Sequence, residues 1–161
     1  MRKLTIALVL TTTLATVAVA SAALPHAGTR FTGPTSAKNV NGFGDTVTFV
    51  AGAKAVRDFD FGTLGCFGYG SYPYQVDPYA TSLVQLKNSI PLTAKGTFAA
   101  TSAPNNWAGG DSTTKLVVTV SGQFTSATAV KGTISLLEKG SLGNCGPYKM
   151  TFTAVPGSGT S

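Results

Sequence analysis

The chain has 161 residues, 43% of them hydrophobic and 11% charged, with 12 Lys and Arg against 6 Asp and Glu. That length suits one domain with a real core. The formal charge of +6 reflects a scarcity of acids, because the basic residues are scattered singly; it is not the footprint of a nucleic-acid binder.

Arg2 and Lys3 open the chain, and an apolar stretch follows from Leu4 to about Ala20. Two small-x-small sites close it, at 18–20 and 20–22. This pattern predicts a signal peptide over 1–22 and a secreted product, extracellular or associated with the cell surface. Thr11, Thr12, Thr13 and Thr16 dilute the run below what a membrane span needs, and no second apolar span follows. No cysteine near the cut offers a lipid attachment point. Losing Arg2 and Lys3 lowers the charge from +6 to +4. The remaining cations read as solvated surface, with mild attraction to anionic cell-wall polymers as their one consequence for partners.

Residues 23–155 form the expected domain, and 156–161 a flexible tail. Thr, Val, Phe and Gly recur there in short stretches separated by turns, as in an all-β protein. A first strand is predicted at 28–33, and a hairpin at 45–62 turning at Gly52. In the hairpin Val47 and Phe49 share one face of the first arm, as Phe59 and Phe61 do in the second. Segment 66–80 then packs Phe67, Tyr69, Tyr72, Tyr74 and Tyr79 among Gly and Pro, and reads as a loop. Segment 82–92 is ambiguous: Asp77-Pro78 suits a single helical turn before it, and Pro91 suits a sheet edge or bend. Strands follow at 96–102, 114–124, 129–138 and 148–155, with turn-rich pieces between. Tyr148, Met150, Phe152 and Ala154 alternate with Lys149, Thr151 and Thr153, as in a strand with one buried side. Seven to nine strands suggest an antiparallel β-sandwich, Ig-like or jelly-roll-like, with a closed barrel second.

Cys66 and Cys145 are the only cysteines. An even count after export argues for one disulfide between them. Its stabilisation in the chain-entropy model is about 4.5 kcal/mol, an upper figure.

Gly122-x-Phe124, Ala129-x-x-Gly132, Cys145 and Phe152-Thr153-Ala154 follow one another in the last third, and Val47, Phe49 and Ala51 stand upstream. This spacing resembles a pattern of small exported bacterial proteins of unassigned function, which usually carry Trp at the place of Phe152. The resemblance covers most of the mature chain. It implies a disulfide-bridged β-sandwich and brings no catalytic residues.

Chemistry is sparsely provided for. His26, the one histidine, stands three residues beyond the predicted cut, which disfavours a nucleophile–histidine pair. Glu138 and Asp45, Asp58, Asp60, Asp77 and Asp111 are the only carboxylates. Glycoside hydrolysis needs two set about 5 to 9.5 Å apart, and their spacing points to no such pair. Asp58 and Asp60 would align on a regular strand and begin a calcium site, but a solvated outer face is the reading kept.

The rings remain. Tyr gives large contact area with few rotors and a polar tip. Trp107, the only tryptophan, stands with Asn105, Asn106 and Asp111 in a polar segment, a composition that suits stacking on a sugar whose hydroxyls meet amide and carboxylate groups. Phe67, Tyr69 and Tyr74 read instead as closing one end of the core. The expectation is a non-catalytic exported binding module for carbohydrate or a cell-surface polymer. Its ligand residues would be Tyr72, Tyr79, Trp107, Asn105, Asn106 and Asp111. An adhesin-like or protease-inhibitor-like protein-interaction module is the alternative, and a small carboxylate-dependent hydrolase the third. No cofactor, metal, nucleic acid or membrane span is expected.

Overall fold

Alternation of apolar and polar residues runs through nearly the whole domain, and strands are its result. The computed structural model describes residues 23–38, 44–67, 75–86, 88–102, 104–107, 115–140 and 143–157, and every regular element among them is a strand. These are β1 (Thr29–Lys38), β2 (Gly44–Ala51), β3 (Ala55–Phe67), β4 (Gln75–Leu86), β5 (Ile90–Pro91), β6 (Thr97–Ser102), β7 (Pro104–Trp107), β8 (Lys115–Ser126), β9 (Ala129–Gly140) and β10 (Gly143–Pro156).

All pairings are antiparallel, in the order β6-β8-β9-β10-β1-β2-β3-β4-β7. The two edge strands, β6 and β7, are separated in the chain by a single residue. Ser102 and Pro104 are therefore within about 7 Å of each other at Cα. The sheet has curled until its own edges meet, giving a nearly closed barrel. β5 lies in the remaining seam. It pairs with β3 through Ala55↔Pro91 and Val56↔Ile90, and the chain just beyond it meets β6 through the Leu92↔Phe98 bridge. The expected all-β antiparallel fold is thus present, but its strands form one continuous sheet, with no division of the pairing into two sheets.

The inner face is built on phenylalanine. Phe31, Phe49, Phe59, Phe61, Phe98, Phe124 and Phe152 are all at most 2% exposed. Phe49 stacks on Phe31 and on Phe59 with centroids 5.4 Å apart in each pair, and meets Phe98 and Phe124 from the opposite wall at 6.0 and 6.3 Å. Each such pair contributes about 0.5–1.5 kcal/mol beyond area burial. The outer positions of β8–β10 hold mostly Lys, Thr, Ser and Gln, with Val117 and Leu137 half-buried and Val155 exposed among them. Apolar side chains inside and polar ones outside is the reverse of a membrane-spanning barrel's arrangement. Among the described residues no helix is long and apolar enough to cross a membrane.

One row across the sheet makes room for these rings. Phe98 on β6 pairs with Gly122 on β8, Gly122 with Gly132 on β9, and Gly132 with Phe152 on β10. A Cβ at Gly122 would enter the Phe98 ring, and one at Gly132 would enter the Phe152 ring. The two bare positions let the flanking rings lie flat against the inner wall, the device by which an aromatic side chain covers a glycine in a sheet. Gly122, Phe124, Gly132 and Phe152 of the motif noted above are all part of this wall.

Several boundaries differ from the expectation. Strand β4 occupies 75–86 and β3 runs on to Phe67, so both ends of the expected 66–80 loop and the start of the ambiguous 82–92 segment are strand; each strand supplies the other's partner. Segment 104–107, expected in a loop, pairs with β4 as β7. Cys145 stands inside β10 instead of in the preceding turn. Pro91 sits in the two-residue β5 within the seam, and the 45–62 hairpin and the 148–155 alternation appear as expected.

Replacing Gly122 or Gly132 by Ala should cost about 1–3 kcal/mol each through overpacking. Urea unfolding measures it, and Phe98→Leu in the Gly122→Ala background should recover part of the loss.

Candidate functional site

The antiparallel order decides where the predicted ligand residues go. β1, β3, β7 and β9 run toward one end of the barrel, and β2, β4, β8 and β10 start from it. Four connections leave that end: 39–43, 68–74, 108–114 and 141–142. Tyr72 and Asp111 lie on two of them, outside the described residues, as do Tyr69 and Tyr74. Tyr79 lies on β4 near the same end, among three residues, 78–80, intercalated between the pairs Gly65↔Asp77 and Leu64↔Thr81.

β7 brings Trp107 and the two asparagines alongside β4. Trp107 is opposite Val84, whose side chain is fully buried, and Asn106 is opposite Gln85, which is half-buried. Asn105 stands between Asn106 and Pro104. Three regular residues separate Val84 from Thr81, so Trp107 and Tyr79 are roughly 10 Å or more apart along β4. The side chains of Tyr79, Asn105, Asn106 and Trp107 are outside the described set, as is that of Phe67. Topology thus gathers all six predicted residues on β4, β7 and the connections next to them.

Both cysteine-bearing strand ends are at this same end. Cys66 is one residue from the end of β3, and Cys145 is near the start of β10. Cys145 is 3% exposed, and the described residues include no free cysteine. Its partner across the ladder is Glu138, a carboxylate only 4% exposed.

Asp58 and Asp60 take a different form from the regular strand expected. The β2–β3 register shifts between Thr48 and Val50, and Asp58 adopts a φ of 50°. Asp is among the few residues that tolerate this left-handed region, and a bulge is where it serves. Arg57 and Asp58 both face outward while Val56 and Phe59 are buried. Asp60 is half-buried, and its Oδ1 is enclosed without a hydrogen-bond partner. Burial pushes its carboxyl above the usual carboxylate range; a hydrogen bond from Gln85 opposes this, Asp58 adds to it, and Arg30 pulls back. Among the described residues, no three His, Cys, Asp or Glu side chains gather into a metal-holding group.

What the sequence reading missed is on the opposite wall. Lysines scattered singly along the chain come together on the outside of β8–β10. The signal was their shared parity with the exposed Thr and Ser, which becomes legible only once the strands are paired.

The raised Asp60 carboxyl sets a pH dependence. Between its unfolded and folded values the native state holds more protons, so stability falls as pH rises through that window. Asp60→Asn should therefore raise the unfolding midpoint at about pH 7 and give little gain at about pH 3, below both values, as thermal melts would record.

Compared with known proteins, the chain matches no family model, no curated protein and no solved structure.

Proposed function

We infer that the protein is a non-catalytic exported module that binds an extracellular carbohydrate or cell-surface polymer at the barrel end. The observation that supports this reading is topological. Residues far apart in sequence, from Tyr72 to Asp111, belong to β4, β7 and the connections next to them, with Trp107 level with Val84, nine positions along β4 from Gln75. A ring-bearing surface beside amide and carboxylate groups suits sugar: CH faces stack on the rings while hydroxyls take the polar partners. Among the described residues, Phe rings pack together in the interior.

A Cys66–Cys145 bridge is part of the same proposal. It would tie the end of β3 to the start of β10 and hold the base of the 68–74 connection. Support comes from the shared end of the two strands and from the burial of Cys145. Thiol titration of the unreduced, denatured protein should find no free thiol. Two titratable thiols would remove the bridge from the proposal.

Trp107 is the direct test, because its register with buried Val84 makes its exposure the deciding quantity. On the sugar-binding reading the indole emits red-shifted and is quenched by iodide. Trp107→Ala then lowers retention on insoluble polysaccharide about tenfold or more, a loss of about 1.4 kcal/mol, with stability nearly unchanged. A blue-shifted, unquenched indole and a stability loss of about 3–5 kcal/mol would assign Trp107 to the core and favour a protein partner instead.

A further inference from the structure

The outer wall of β8, β9 and β10 carries an arrangement of charge that folding does not require. Lys115, Lys131, Lys139 and Lys149 all stand exposed on it. The single carboxylate of these three strands, Glu138, is 4% exposed on the inner side. The aspartates are elsewhere: Asp45, Asp58, Asp60 and Asp77 on β2–β4, and Asp111 outside the described residues. Lys115 and Lys139 are directly opposed in the β8–β9 ladder. Like charges at opposed positions destabilise a sheet, whereas an acid at either position would stabilise it. A bound anion would relieve that repulsion.

The spacing of the cations indicates the shape of the anion. Lys149 is opposite Ser135, four residues along β9 from Lys131, and Lys139 lies four residues further. At about 3.3 Å per residue the three levels are about 13 Å apart, so the charges span roughly 26 Å along one strand. Hydroxyls fill the interval between Lys131 and Ser135, where Ser121 and Thr133 are hydrogen-bonded at 2.8 Å, and Thr119 beside Ser135 bonds Thr101 at 3.1 Å; the half-buried pair Val117–Leu137 fills the interval up to Lys139. Lys131 also lines a groove of about 860 Å³ that crosses from β6 to β1. Its floor is the outer side of the Phe98–Gly122–Gly132–Phe152 row, where no side chain projects, and Thr133 and Thr151 contribute to its rim. No aromatic residue is among the outward positions of β8 and β9, so nucleic-acid bases have no stacking platform there.

We propose that this wall binds an extended acidic polysaccharide, with its anionic groups on the four lysines and the CH face of one sugar over the groove beside Lys131. The site starts at the barrel end, where Lys115 and Lys139 adjoin the 108–114 and 141–142 connections, and runs from there down the outer wall through Lys149 to Lys131.

Titration calorimetry of the full mature chain tests it with four probes: polygalacturonate, dextran sulfate, neutral dextran and a single-stranded oligonucleotide. Binding to one or both acidic polysaccharides, weakening between about 50 and about 300 mM NaCl, is expected. Which of the two binds more tightly distinguishes carboxylate from sulfate chemistry. Lys139→Glu is the decisive variant. It should raise the urea midpoint by placing opposite charges across the ladder, and lower the affinity about tenfold or more. Lys131→Ser should weaken binding with the midpoint unchanged. Equal binding of neutral dextran, tighter binding of the oligonucleotide, no binding to either acidic polymer, or undiminished affinity in Lys139→Glu would each overturn the proposal.

Discussion

Phe49 holds the two walls of the barrel together, and most of the architecture follows from the space its ring cluster needs. It stacks within its own wall on Phe31 and Phe59 and reaches across to Phe98 and Phe124. Rings of that size fit into a small barrel only where the opposite wall is thin. Gly122 and Gly132 provide the thinness, opposed to each other at the centre of a row that ends in Phe98 and Phe152. A similar constraint acts at Gly33, where a Cβ would run into the backbone of Thr153 and Ala154. There β1 and β10 lie closer than two side-chain-bearing strands permit, and Ser36 Oγ accepts from the Thr151 N–H at 2.9 Å in the same pair of strands.

The strands that were legible in the sequence were those whose alternation is unambiguous. Tyr148 to Ala154 alternates with Lys and Thr, and the 45–62 arms carry Val47, Phe49, Phe59 and Phe61 with Gly52 between them. Period-two patterning of this kind records which face is buried, and burial is what selected those residues. β4 was obscured because Pro78 and the intercalated residues 78–80 break its pattern. β7 was obscured because Pro104, Asn105 and Asn106 have poor strand propensity; pairing with β4 overrides it. Whether one sheet or two would form depends on where the chain changes partners, and the change falls between Ser102 and Pro104. Nothing local marks that position as the meeting of two edges. The pairing of Asn106 and Trp107 with β4 is a property of long-range register that composition does not carry.

Charge is divided between the two sides of the barrel in a way that the chain's modest net value conceals. β8–β10 present lysine and hydroxyls outward and turn their one carboxylate inward, while the strands β2–β4 hold four of the five aspartates. The protein thus groups exposed cations on the β8–β10 wall, whereas on the outside of β3 the exposed Arg57 and Asp58 stand side by side. The field of such a grouping orients the molecule over a charged surface before any contact forms.

The seam at β5 has a consequence for how the barrel breathes. The cylinder is joined twice along this line: by β6 and β7, linked through one residue, and by the two-residue β5 lodged between β3 and β6. Pro91 lacks an N–H, so β5 holds its neighbours with fewer ladder bonds than its length would allow. Its detachment would leave every other pairing in place and uncover Ile90 and Phe98, both otherwise at most 2% exposed. The burial of Ile90 and Phe98 therefore rests on the shortest strand of the barrel, held by fewer bonds than any other.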